Sequence, residues 1–310
     1  FYKKIGIITI LLVLGSGLYY FQKISPFGQI KYFYPNHPLV SFLQKNSGIN
    51  RFWGPLSAKL PSNLATYYHL YSPEGYDSLF PRWYGQLIQT TITGQIQEKL
   101  NRADVFIEDK DTIYRRKLLN LLGVKYFLDK SDDPLGDRSH NETKFSKDRF
   151  ILSEQLGVLS IYENKEAFSR TFLAGSYRVV SHGDVINLIY DPTVNLRETI
   201  ILERDPNIGV LATGSANIVI YEPNKVVIET QSTGPGLLFL SDTYFPGWQA
   251  TINGVKREIY RANYAFRAVI VPAGQNKIEF VYQPESFRWG IAASFLGLGI
   301  LACLLLLRHF

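Results

Sequence analysis

The stretch Leu237-Leu-Phe-Leu-Ser-Asp-Thr-Tyr-Phe-Pro-Gly-Trp-Gln-Ala-Thr-Ile-Asn-Gly-Val-Lys-Arg-Glu-Ile259 decides the fold. It holds three short runs of strand-forming residues, Leu237–Ser241, Gln249–Ile252 and Val255–Ile259, broken at Pro246-Gly247 and Asn253-Gly254. An Asn-Gly pair is a strong two-residue hairpin signal, because both central positions of its turn have φ > 0. Outward from there lie four more runs of the same kind: Ala216–Tyr221, Lys225–Thr230, Ala265–Val271 and Lys277–Tyr282. Glu222-Pro223-Asn224, Gly234-Pro235-Gly236 and Pro272-Ala273-Gly274 separate them. Short, evenly spaced strands with turn residues between them predict an antiparallel β-sandwich.

Upstream the pattern is mixed. Pro38 opens a helix over Leu39–Gln44, and Asn50–Trp53 reads as a short strand. A helix starts at Pro81, with Trp83, Leu87 and Ile88 as its packing stripe. A second, Ile113–Leu122, ends at Gly123, a residue suited to a left-handed cap. Val124–Leu128 reads as a buried strand, and the charged segment Asp129–Asp148 as an exposed loop. Phe150–Ser153 and Leu159–Tyr162 form a hairpin around Gly157. Thr171–Val180 reads as one strand, Gly183–Tyr190 as a helix and Thr199–Leu202 as a strand. The expected class is α+β, with a mixed α/β subdomain over 23–205 followed by an antiparallel β-sandwich over 206–286.

Two uncharged apolar stretches bracket this body. Ile5 to Phe21 and Trp289 to Leu307 are each close to the roughly 20 apolar residues that cross a bilayer. They predict transmembrane helices at 1–22 and 287–310. Lys3, Lys4 and Arg308 at the outer flanks favour cytoplasmic termini and an extracytoplasmic centre. Pro26, Tyr32, Phe33 and Tyr34 suit a membrane exit through the headgroup zone. The first stretch has no small-residue cleavage site, so a signal peptide fits it less well. The chain begins with Phe1 and contains no Met, which reads as the C-terminal part of a longer protein.

The formal charge is +6, and +3 remains once Lys3, Lys4 and Arg308 are set aside. That mild, dispersed excess does not point to nucleic acid. The single cysteine, Cys303, lies in the second apolar stretch, so no disulfide staples the outer body. His37, His69, His140, His182 and His309 are scattered without metal-ligand spacing, and no zinc site is expected. No nucleophile elbow is present, Asp132-Asp133 reads as solvated, and Asn141-Glu-Thr143 is a bare sequon match.

Several strings in order carry a resemblance. They are Leu238 to Trp248, Asn253-Gly254, Arg261-Ala-Asn-Tyr-Ala-Phe-Arg-Ala268, Val271-Pro-Ala-Gly274 and Phe280-Val-Tyr-Gln-Pro284. Upstream, Leu118-Leu-Asn-Leu-Leu-Gly-Val-Lys-Tyr-Phe127, Gly75-Tyr-Asp-Ser-Leu79 and Arg82-Trp-Tyr84 add to them. Together these resemble the C-terminal part of the YfhO-like bacterial membrane proteins, which in turn resemble GT-C glycosyltransferases. The resemblance implies sugar transfer from a polyprenyl-phosphate donor to a cell-envelope glycopolymer or lipid, at the outer face of the bacterial cell membrane. It implies catalytic residues upstream of this stretch, so none is assigned here. It implies no cofactor in this stretch and leaves room for a divalent metal in the full protein. The expected partners are the lipid bilayer, the donor and the acceptor, with this part assisting their binding. The alternative is a non-catalytic, membrane-anchored envelope-binding or sensory module.

Two groups of residues are candidates for binding. Arg51, Tyr76, Asp77, Arg82, Trp83 and Tyr84 combine arginines with aromatic rings near a helix start, which suits a phosphate or an acidic group. Asp242 and Trp248 combine a hydroxyl acceptor with a stacking surface, which suits a sugar. In the competing structural reading, Arg82 pairs with Asp77, Asp242 caps a turn, and the aromatic rings cover the core.

Overall fold

The predicted Asn253-Gly254 hairpin is present. Asn253 and Gly254 have φ of 50° and 82°, and Ile252 pairs with Val255 across the turn. A computed structural model describes residues 2–24, 34–61, 63–97, 104–131 and 145–307. Pro26, Tyr32, Phe33, Asp132-Asp133, His140, the sequon at 141–143 and His309 lie outside the described residues.

The chain divides into two units, residues 1–45 and 46–310. The first contains helix α1 (Tyr2–Ile24) and nearly all of α2 (Pro38–Asn46). α1 is long and apolar enough to cross a membrane, and its window is 0% buried. Leu39, Val40 and Leu43 form the buried face of α2.

The second unit holds three sheets. A four-stranded sheet has the order β1 (Arg51–Trp53), β2 (Val124–Lys130), β4 (Leu159–Asn164), β3 (Phe150–Leu156). A six-stranded sheet has the order β5 (Thr171–Ala174), β10 (Gly236–Thr243), β14 (Phe266–Val271), β13 (Tyr260–Ala262), β7 (Thr199–Leu202), β6 (Ser176–Val179). A five-stranded antiparallel sheet has the order β12 (Val255–Arg257), β11 (Trp248–Ile252), β15 (Gly274–Tyr282), β9 (Lys225–Ser232), β8 (Gly214–Glu222). Helices α3 (Leu64–Tyr67), α4 (Arg82–Thr93), α5 (Ile113–Leu121) and α6 (Val185–Tyr190) precede the sandwich strands, and α7 (Glu285–Leu307) closes the chain. α7 is the second helix long and apolar enough to span a membrane.

The six-stranded sheet is central because both its faces are apolar. Side chains alternate across a strand, so a run buried on both faces has no polar side. Leu238 and Leu240 of β10, with Val269 and Val271 of β14, pack against Val226, Ile228, Ile252, Ile278 and Phe280 of the five-stranded sheet. Leu237, Phe239, Phe266 and Ala268 join the opposite core with Trp53, Leu87, Leu118, Leu122 and Ile186. The sheet takes β5, β6 and β7 from one side of residue 205 and β10, β13 and β14 from the other.

Two segments differ from their sequence reading. Thr171–Val180 is two strands, not one, and these occupy opposite ends of the strand order. Only Gly175 separates them, so the sheet curls until its two ends meet there. A Cβ on Gly175 would sit 3.2 Å from Thr213 Cγ2, and a bare backbone suits such a corner. The expected strand Val255–Ile259 ends at Arg257, because β12 pairs in the five-stranded sheet and β13 in the six-stranded one. The chain crosses between sheets at Glu258-Ile259. Asp129 and Lys130, read as loop, extend β2 and pair with Ser160 and Leu159.

Candidate functional site

Arginines and carboxylates meet in two places, one dry and one open. The dry cluster surrounds Asp242, near the end of β10 where the register with β14 slips between Leu240 and Thr243. Arg170 donates to Asp242 Oδ1, and Arg267 Nη2 donates to Oδ2 at 3.2 Å. Arg51 Nη2 lies 3.6 Å from Oδ1, and the Tyr221 hydroxyl donates to that oxygen at 2.9 Å. Arg170 and Arg267 are each 2% exposed, Arg51 and Asp242 each 8%. Burial by itself would raise the Asp242 carboxyl, but Arg170, Arg267 and Arg51 hold it down at about 2.

Three guanidiniums face a single carboxylate, and backbone carbonyls take up the excess. Arg51 donates to Ser241 O at 2.7 Å, and Arg170 donates to Ile49 O at 2.7 Å. The Arg267 guanidinium lies 3.9 Å from the Trp248 ring centroid and 5.3 Å from that of Phe280. The cluster joins β1, the lead into β5, β8, β10 and β14, so it clasps all three sheets. This corrects the expectation that Asp242 caps a turn. It stands in a strand with its oxygens engaged inside the protein, and Trp248 serves as a cover for Arg267. Tyr84 also turns inward, donating to Pro73 O at 2.6 Å. Burial pushes its hydroxyl up to about 12 against the opposing pull of Arg51 and Arg170, so it stays a donor at neutral pH.

The open cluster lies where β7, β13 and the first turn of α4 converge. Arg261 of β13 donates to Glu203 Oε2, and His182 Nδ1 lies 3.1 Å from the same oxygen. The Arg261 guanidinium stands 3.9 Å from the Trp83 ring centroid, and the His182 ring stacks on Tyr264 at 4.9 Å. The side chains of His182, Glu203 and Arg261 are 46%, 19% and 18% exposed. Asn263 and Tyr264 both hold positive φ, 43° and 75°, a costly conformation for a tyrosine. Two hydrogen bonds fix that turn: Asn263 Oδ1 accepts from Ile201 N at 2.8 Å, and the Tyr264 hydroxyl donates to Gln86 Oε1 at 3.0 Å. Glu203 Oε1, Arg261 Nη1 and Asn263 Nδ2 are buried without a hydrogen-bond partner. Buried polar atoms are nearly always paired, so these orphans, like Arg267 Nη1 in the dry cluster, call for an explanation. Adjacent carboxylate acceptors and guanidinium donors, set against aromatic rings, suit a polyhydroxyl or phosphate ligand.

The sequence candidates therefore separate. Arg51 and Tyr84 join Asp242 and Trp248 at or beside the clasp. Trp83 belongs to the open cluster. Exposed Arg82 lies within electrostatic reach of the Tyr264 hydroxyl, which burial raises and Arg261 and Arg82 oppose. Tyr76 is 64% exposed, and Asp77 accepts from Leu79 N at 2.8 Å as a local turn bond. No ion pair joins Asp77 to Arg82 among the described residues. Sequence reasoning missed Arg170, Tyr221, Arg267, His182, Glu203 and Arg261 as site residues. Arg267 left a signal, since it alternates with Val269 and Val271 on a buried strand face. The described residues contain no group of three or more His, Cys, Asp or Glu placed to hold a metal.

Residues 207–294 match a family described as bacterial membrane protein YfhO. No curated protein and no solved structure matches the chain. The matched segment runs from before β8 into the first turns of α7, and it contains Asp242, Trp248, Arg261, Tyr264 and Arg267. Arg51, Trp83, Arg170, His182 and Glu203 lie ahead of it. The resemblance expected from the sequence strings holds over this segment. Over that segment the chain is similar to a bacterial membrane protein family, and its two apolar helices are each long enough to cross a membrane.

Proposed function

We propose that this chain is a YfhO-like membrane protein and contributes the outer region of a glycosyltransferase. In this reading the enzyme moves sugar from a polyprenyl-phosphate donor onto a cell-envelope glycopolymer or lipid, and the Glu203–Arg261–His182 site holds donor or acceptor. The reading places the body between the two apolar helices outside the cytoplasm, and it assigns binding rather than the transfer chemistry to the residues of this body. The supporting observation is the pair of unpaired polar atoms, Glu203 Oε1 and Arg261 Nη1, on side chains that meet a half-exposed histidine.

The roles follow from the chemistry of each group. Glu203 Oε1 is a buried acceptor without a partner, of the kind a sugar hydroxyl would satisfy once the half-exposed His182 moves aside, and Arg261 Nη1 is a buried donor that a phosphate or hydroxyl oxygen would satisfy. Stacking on Trp83 fixes the Arg261 plane, so a ligand does not have to order that side chain. Tyr264 supports the His182 ring in the same way.

The test is transfer of labelled sugar from a polyprenyl-phosphate donor by the full-length protein in membranes, comparing wild type with Glu203→Gln and Arg261→Gln. The expected result is at least a tenfold loss of transfer for each variant, about 1.4 kcal/mol or more of lost binding or transition-state stabilisation. Wild-type transfer by both variants removes the site. Retained glycan binding with no transfer by the wild type returns the alternative, a non-catalytic envelope-binding module.

A further inference from the structure

A groove lies where the sandwich meets α7, remote in sequence from both arginine clusters. It is open, about 610 Å³, and lined by Gln249, Lys256, Tyr282, Gln283, Pro284, Glu285, Phe287 and Arg288. A second depression, about 380 Å³, is lined by Glu285, Arg288, Trp289 and Ala292. Those four stand at i, i+3, i+4 and i+7, so they share one helix face. The two hollows share Glu285 and Arg288 and therefore run together, from a polar mouth on the sandwich to an apolar strip on a membrane-spanning helix.

The chemistry changes along that path. Lys256 on the edge strand β12 and Arg288 in the first turn of α7 are both exposed, and neither has an ion-pair partner among the described residues. Glu285 lines the same mouth and offsets one of the two charges, leaving a net positive site. Gln249, Gln283 and Tyr282 add neutral hydrogen-bonding groups. Phe287 is 66% exposed, Trp289 75% and Val255 57%. Exposed aromatic rings at the start of a spanning helix sit at headgroup depth, and basic side chains there attract anionic headgroups.

We propose that this groove is a binding site for an anionic glycerophospholipid of the surrounding bilayer. The phosphate lies between Lys256 and Arg288, the headgroup hydroxyls reach the Gln249 and Gln283 amides, and an acyl chain follows Trp289 and Ala292 down α7. α7 fixes the occupant, because it places the mouth at the bilayer surface and the apolar strip inside the bilayer. The site rests on the membrane span alone and is independent of any sugar transfer.

The experiment is a thermal-unfolding titration of the whole chain in a neutral detergent, with phosphatidylglycerol, phosphatidylcholine or inorganic phosphate added. The expected result is a saturable rise in Tm with phosphatidylglycerol, and none with phosphatidylcholine or inorganic phosphate. The Lys256→Gln/Arg288→Gln double variant weakens the half-saturation concentration by about tenfold or more. Arg178→Gln, which removes one exposed charge elsewhere on the body, leaves it unchanged. Both substituted positions are exposed, so unliganded Tm stays at the wild-type value and confirms folding. Equal shifts with the two lipids, the same shift with inorganic phosphate, wild-type affinity in the double variant, or an equal loss in Arg178→Gln each overturn the proposal.

Discussion

The Asp242 and Glu203 clusters use the same groups, arginine against carboxylate beside aromatic rings, in opposite surroundings. At Asp242 every arginine is nearly sealed from water, and the bonds run between three sheets. At Glu203 the histidine side chain is 46% exposed and the carboxylate side chain 19%, while unpaired polar atoms occur in both clusters, Arg267 Nη1 at Asp242 and Glu203 Oε1 and Arg261 Nη1 here. Burial decides which cluster fastens the fold and which is open to a ligand. A sealed charge depends on every partner, because removing one leaves the others uncompensated in a poorly polarisable interior. A half-open charge is partly hydrated, contributes little to stability, and keeps its bonding capacity for something else.

Asp242→Ala is the strongest test of that contrast. It strands three buried guanidiniums and should cost about 3–5 kcal/mol in denaturant unfolding of the detergent-solubilised chain. A cost under about 1 kcal/mol would mean that the clasp is solvated and the contrast false. Acid probes the same residue more gently. A carboxyl held at about 2 stabilises the fold above its unfolded range near 4, and loses that contribution as pH falls through 2. The expected decline between pH 4 and pH 2 is on the order of 2 kcal/mol, and it should be missing from Asp242→Asn.

Gly254→Val tests the hairpin that both clusters rest upon only indirectly. With φ of 82°, a branched residue there should cost about 1–2 kcal/mol while leaving lipid and sugar binding alone. Glu203→Gln should have the smallest effect on unfolding, under about 1 kcal/mol, alongside its large effect on transfer. A stability loss at Glu203 as great as at Asp242 would make both clusters structural and would sink the functional assignment.

Legibility in the sequence followed the range of the interactions. All seven strand runs between 216 and 282 are present, because alternation and turn residues act within a few positions of one another. α4 starts after Pro81, and α5 is followed by Gly123 with φ of 68°, for the same local reason. The break at Gly175 and the sheet crossing at Glu258-Ile259 were hidden, since each is set by which distant strand takes up the next hydrogen bond. The candidate residues fared unevenly on the same ground. Arg51 and Asp242 were both picked out but assigned to separate sites, because their contact is long-range: the neighbouring Arg51–Ser241 bond spans 190 residues of sequence. Glu203 and Arg261 are ordinary surface residues until β7 and β13 bring them together.

The sequence by itself determined two lipid-soluble helices, a ladder of short strands with an Asn-Gly turn, and a likeness to one membrane family, since composition and local pattern are enough for each. Only the tertiary structure decided which charges are sealed and which are open. Dielectric surroundings depend on what packs over a side chain, and here that cover comes from strands far away along the chain.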